Sequence, residues 1–152
     1  MNYYSTEKNT PTVSFEEALF VGLPPDNGLY MPEKFLKVNK SIFNIDNFRD
    51  LSFEISKTFL DNLVKEDELF NIINECYNFP VPLVELKENI FVLELFHGPT
   101  AAFKDFGARF MSRMMSYFLK GKKKKITILV ATSGDTGSAV ANGFYKVENI
   151  DV

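Results

Sequence analysis

The amino-acid sequence predicts an α/β fold in which a mostly helical region, residues 1–80, precedes the start of a mostly parallel sheet with flanking helices, residues 81–152. Three observations carry this reading. Helical periodicity dominates up to Pro80 and Pro82, which break it. From Val81 the order becomes strand, turn, strand, helix, strand, helix, and such alternation implies a parallel sheet covered on both faces. The run Ile126-Thr127-Ile128-Leu129-Val130-Ala131 is compact, apolar and β-branched enough for a buried parallel strand.

Each element has its own signal. The first dozen residues read as extended strand and loop. Ser14-Phe15-Glu16-Glu17 is a capping box before a short helix that ends near Gly22. Leu23-Pro24-Pro25-Asp26-Asn27-Gly28 is turn chemistry, followed by Leu29-Tyr30-Met31 and a further proline. A second helix, capped by Asp50 or Ser52, spaces Leu51, Ile55, Phe59 and Leu63 along one face. A third places Leu69, Ile72, Ile73, Cys76 and Tyr77 at i, i+3, i+4, i+7 and i+8. Strands are expected at Leu83 to Leu86 and Ile90 to Phe96, and a helix after Lys104 carrying Phe106, Phe110, Met111, Met114, Phe118 and Leu119. A short helix from Ala139 to Tyr145 and the opening of one more strand at Asn149-Ile150-Asp151-Val152 complete the pattern. The alternation stops soon after it begins, so the chain is expected to be the N-terminal portion of a larger α/β protein.

Composition narrows the function. The 152 residues, 45% hydrophobic and 24% charged, are those of a globular chain, and a formal net charge of −3 gives no reason to expect nucleic acid or an acidic membrane as partner. No apolar run approaches the roughly 20 residues that span a bilayer. Cys76 is the only cysteine, which excludes an internal disulfide, and His97 the only histidine, which excludes a His-based metal cluster. No basic-then-apolar leader opens the sequence, so the expected location is the cytosol.

Two segments carry candidate chemistry. In His97-Gly98-Pro99-Thr100-Ala101-Ala102-Phe103-Lys104-Asp105-Phe106-Gly107, a lysine stands at the start of a helical pattern behind a Gly-Pro turn. Half enclosed by Ala101, Ala102, Phe103 and Phe106, and near the positive end of the helix dipole, Lys104 is expected to present an uncharged, nucleophilic amine. The plainer reading is a surface lysine in the first turn of an ordinary helix. In Ala131-Thr132-Ser133-Gly134-Asp135-Thr136-Gly137-Ser138, two glycines and three hydroxyls between a strand and a helix suit a carboxylate or a phosphate. Asp135 must then point away from the anion, capping the helix or accepting a hydrogen bond from a cofactor. The plainer reading is a βα loop with a capping Asp. The loop is neither a Walker A motif nor a G-x-G-x-x-G fingerprint, which argues against a nucleotide-binding module. Arg109 and Arg113 are expected to pair with acidic residues, Cys76 to pack in the core, and Lys122 to Lys125 to form a solvated connection.

HGPTAAFKDFG followed by ATSGDTGSA resembles threonine synthase, a pyridoxal-phosphate family of fold type II, and so do the openings Val13 to Leu19 and Gly28 to Pro32 and the run Val92 to Phe96. The resemblance runs over essentially the whole chain and implies a lyase of threonine biosynthesis, which converts O-phospho-L-homoserine and water to L-threonine and phosphate. It implies that Lys104 carries pyridoxal 5'-phosphate and serves as the base at the substrate Cα, and that Phe103 and its neighbours wall the pyridine ring. It implies that Ser133, Gly134 and Thr136 grip the substrate carboxylate, with Asp135 on the cofactor side. The family's phosphate-gripping loop lies downstream of these motifs, so the 152 residues alone are expected to be inactive. The competing readings are another lyase of the same fold, such as a serine or threonine dehydratase, and a non-catalytic threonine-synthase-like binding protein.

Overall fold

The computed structural model describes residues 1–60 and 62–152, and their contacts divide them into two compact units, Met1–Phe70 and Asn71–Val152.

The first unit is built on a short antiparallel sheet. β1 (Asn2–Ser5) is its central strand, flanked by β2 (Val13–Ser14) and β3 (Tyr30–Pro32). The region is therefore helical with a small sheet of its own. Ser14 closes β2 and caps α1 (Phe15–Val21): its hydroxyl accepts from the Glu17 N–H at 3.1 Å, as the capping box predicts. Gly22 ends α1 at φ 77°, a left-handed conformation that glycine adopts without Cβ strain. The turn that follows is tied by Asp26, which accepts from the Ser5 hydroxyl (2.6 Å) and from the N–H groups of Gly28 and Asn9 (3.1 Å each). α2 (Phe48–Leu60) begins earlier than expected, because Asn47, rather than Asp50 or Ser52, provides the cap: its Oδ1 accepts from the Asp50 N–H at 2.8 Å. Leu60, Val64 and Leu69 are buried there, and the Phe53 and Phe70 rings meet edge to face at 5.7 Å.

The division between the units falls inside α3 (Glu66–Cys76). Its predicted apolar face is realised: Leu69, Ile72, Ile73 and Cys76 are all buried. Its C-terminal end belongs to the second unit because Arg109 grips it. The guanidinium donates to the carbonyls of Cys76 (2.7 Å) and Glu75 (2.6 Å) and to Asn78 Oδ1 (3.1 Å). Arg109 thus satisfies the free carbonyls of a helix terminus rather than an acidic side chain. Phe106 adds ring contacts to Tyr77 at 5.6 Å and Phe79 at 5.2 Å.

In the second unit, β4 (Leu83–Lys87) and β5 (Ile90–Leu93) form an antiparallel hairpin whose turn puts Asn89 at φ 62°. α4 (Lys104–Leu119) and α5 (Asp135–Phe144) pack on one another, and β6 (Ile126–Thr127) pairs in parallel with β7 (Ile150–Asp151). The β6–α5–β7 connection is a parallel crossover through a helix. α4 buries Phe106, Ala108, Met114, Met115, Phe118 and Leu119. Gly143 lets the two helices approach, since a Cβ there would lie 3.0–3.2 Å from Ala108 atoms, and Ser112 Oγ donates to the Gly143 carbonyl at 2.6 Å. The Arg113 guanidinium donates to the same carbonyl and stands only at 3.9 Å from Glu75, so its main partner is again backbone.

One expectation is corrected here. The run from Ile126 to Ala131 is not a buried strand: the pairing stops after Ile126–Thr127 and one further bond, from the Ile128 N–H to the Asp151 carbonyl at 2.8 Å, and Leu129 is 91% exposed. A parallel strand is buried by neighbours on both edges and helices on both faces. Among the described strands β6 has only β7 beside it.

Candidate functional site

The two segments singled out in the sequence meet. Lys104, the first residue of α4, and residues 131–136, which lead into α5, line one open cleft of about 570 Å³ in the second unit. Ser133, Gly134, Asp135 and Thr136 are all in its wall; Phe103 is not.

Lys104 is exposed, which corrects the half-enclosed setting expected from its sequence neighbours. Successive helical residues turn by about 100°, so neighbours in sequence face different ways. The buried side of α4 carries Asp105, Phe106, Ala108 and Arg109, while Lys104 and Gly107 share the outer side. Phe103 sits in the turn before the helix, 66% exposed, with its ring 6.1 Å from that of Phe106.

The approach to Lys104 is fixed by a residue the sequence reading passed over. Asp105 is fully buried, and its two oxygens accept from the Thr100 N–H (2.9 Å) and the Thr100 hydroxyl (2.6 Å). An acid in a first helical turn ordinarily signals only a favourable dipole contact; nothing in periodicity shows that its side chain reaches back five residues. His97, just upstream, pairs its Nε2 with Glu94 Oε2 at 2.6 Å and lies against the Phe96 ring.

On the other side of the cleft the organiser is Thr132. Its Oγ1 accepts from the N–H groups of Gly134 and Gly137, both at 3.1 Å, and donates to the Gly134 carbonyl at 3.3 Å. Asp135 makes no cap: the N-cap position of α5 is Gly134, without a side-chain bond, and Asp135 is the first helical residue. A threonine two residues before a glycine is hydroxyl-turn chemistry, a signal that was available in the sequence. The Gly137 N–H is taken by Thr132 Oγ1 and the Gly134 carbonyl, which leaves the N–H groups of Asp135 and Thr136 and the positive dipole end at this side of the cleft. Among the described residues, no group of three His, Cys, Asp or Glu side chains is placed to hold a metal ion. None of the described helices is long and apolar enough to cross a membrane.

An accessible primary amine at one helix start, beside a hydroxyl-rich turn at the next, marks a class of α/β protein whose cleft sets an amine among hydroxyl groups. Comparison with known proteins makes the class specific. The family model described as threonine synthase N terminus matches residues 2–77. Threonine synthase of Haemophilus influenzae is 43% identical over an alignment that takes in 100% of this chain and 36% of that protein. The solved structure of PLP-bound threonine synthase from Brucella melitensis aligns with a TM-score of 0.93 at 35% identity, over 99% of this chain and 34% of its own. The yeast threonine synthase structure aligns with a TM-score of 0.87 at 38% identity, over 98% of this chain and 34% of its own. The chain belongs to the threonine synthase family. It spans about a third of the length of the relatives it matches.

The cleft fits the pyridoxal phosphate named for the Brucella structure in two respects. Lys104 presents the primary amine that an aldehyde requires, and the Ser133 to Thr136 turn brings hydroxyl groups, a chemistry that suits a polar, anionic molecule, to the same cleft.

Proposed function

We propose that this chain is the N-terminal part of a threonine synthase, a lyase that converts O-phospho-L-homoserine and water to L-threonine and inorganic phosphate in the cytosol. One observation carries the reading: in a chain of this family, Lys104 and residues 131–136 line the same cleft. Lys104 would hold the aldehyde of pyridoxal phosphate through Nζ, and once the substrate's amino group has displaced it, the freed Nζ would be the base at the substrate Cα. Ser133, Gly134 and Thr136 hold the substrate carboxylate with hydroxyl and N–H donors, which fixes the Cα–H bond in the direction of that amine. Asp135, in the same wall, would offer an acceptor to a donor on the cofactor. The cofactor's own contribution when bound is an electron sink for the carbanion that proton removal creates.

The test uses the full-length protein. Incubation with pyridoxal phosphate, reduction with borohydride and peptide mass mapping places the label on Lys104; a label on another lysine overturns the assignment. A Lys104→Ala variant loses the label and about 10²–10⁴-fold in turnover. Competition by an O-phosphohomoserine analogue separates the synthase from a dehydratase, which has no use for the substrate's phosphate.

A further inference from the structure

The segment that delivers Lys104 to the cleft is strained at one residue and held at another. Ala101 has φ 54°, a left-handed conformation that is unfavourable for a residue with a Cβ. α4 has no side-chain cap from Phe103, its N-cap residue. What holds the segment is the buried carboxylate of Asp105, taking both donors of Thr100 at 2.9 and 2.6 Å. The turn is drawn so close that a Cβ on Gly98 would collide with Asp105 Oδ2. The carboxylate therefore ties the chain four residues before Lys104 to the residue immediately after it, with the strained Ala101 inside the closed loop.

We propose that Asp105 is a positioning residue for Lys104: through Thr100 it sets the path by which the backbone enters α4, and so the point at which Nζ reaches the cleft. It is buried and does not line the cleft itself. The inference builds on the reading that Lys104 condenses with a carbonyl cofactor. A displacement of about 1 Å at a reacting atom costs on the order of 10²-fold in rate, so a relaxed loop has a measurable consequence even in a folded protein.

The experiment uses the full-length protein with Asp105→Asn, Thr100→Val and Thr100→Ser. The first readout is the rate at which added pyridoxal phosphate becomes borohydride-trappable on Lys104, followed by mass; the second is the split between kcat and KM. Asp105→Asn and Thr100→Val are expected to slow trapping and kcat by roughly 10–100-fold, with KM and the folded fraction unchanged. Thr100→Ser, which keeps the hydroxyl, is expected to stay near the parental rate. Should Asp105→Asn fail to fold, Thr100→Val decides, since its backbone N–H bond to Asp105 survives. Parental trapping rates in the variants that fold, or a Thr100→Ser variant as slow as Thr100→Val, overturn the proposal. A parental label on a lysine other than Lys104 overturns the reading beneath it and the proposal together, whereas a label on Lys104 with unaltered variant rates overturns the proposal alone.

Discussion

Each unit of this chain contains a loop knotted by an aspartate, a hydroxyl and a glycine, and the two knots are built differently. In the first unit Asp26 collects donors from Ser5, Asn9 and Gly28, three separate segments, and a Cβ on Gly28 would collide with the Ser5 hydroxyl. In the second, Asp105 takes both of its donors from Thr100 alone and is fully buried, and Gly98 makes the close approach. The first knot shares its bonds and can lose one donor while keeping the others. The second concentrates them on one residue, next to the lysine of the cleft. Redundancy suits a turn that supports a sheet; concentration suits a segment whose position has to be unique.

The largest expected effect separates the two units by pH. Burial pushes the Cys76 thiol up to about 12 and also raises the Tyr77 hydroxyl. Both groups hold their protons more tightly when folded, so their stabilisation is complete below pH 9.0, the ordinary thiol value, and is lost as pH climbs toward 12. Each group contributes a fall of about 1.4 kcal/mol per pH unit within its window. Urea unfolding between pH 9 and 11 should show a shallower decline for Cys76→Ala than for the parent; equal slopes would contradict the buried thiol.

Next come the glycines. Gly28→Ala and Gly98→Ala should each destabilise by about 1–3 kcal/mol, the range for overpacking, in denaturant titrations. Only Gly98→Ala should also slow trapping of pyridoxal phosphate on Lys104; if Gly28→Ala slows it equally once folded protein is counted, the contrast between the knots fails. A smaller effect is expected at the other wall of the cleft. Thr132→Ala removes the acceptor for two N–H groups, which should cost about 1 kcal/mol and raise the substrate KM, with Thr132→Ser close to parental. The smallest effect belongs to Asp26. The Ser5 hydroxyl first, then the Gly28 and Asn9 N–H groups, hold its carboxyl below the ordinary value of 3.8, with burial pulling the other way. A lowered pKa gives stability that is present above that value and lost as pH falls through the folded one. The acid limb of an unfolding profile should therefore flatten in Asp26→Asn, and an unchanged limb would show that the knot carries no charge preference.

What the sequence disclosed follows the range of the interactions. The α3 face, the Ser14 cap and the α4 core face are made by residues three to eight apart, and all were legible. So was the meeting of Lys104 and the Ser133–Thr136 turn at one cleft, although its geometry needed the structure. Burial of the Ile126 to Ala131 run was misread because it depends on neighbouring strands, which local sequence does not report. Shelter around Lys104 was misread because residues adjacent in sequence turn away from one another on a helix. Asp105 and Arg109 escaped as organisers because half or more of their bonds go to backbone groups, which every sequence has in equal measure, and because helical periodicity does not show a side chain reaching out of its own helix.

The hairpin of β4 and β5 leaves apolar side chains in water on both faces: Leu83 is 64% exposed, Leu86 65% and Phe91 53%. Handled by themselves at high concentration, these residues would stick edge to edge and precipitate, since open strands bearing Leu and Phe template their own stacking. Lysine or threonine at Leu83, Leu86 and Phe91 would keep such a preparation clear without touching either wall of the cleft.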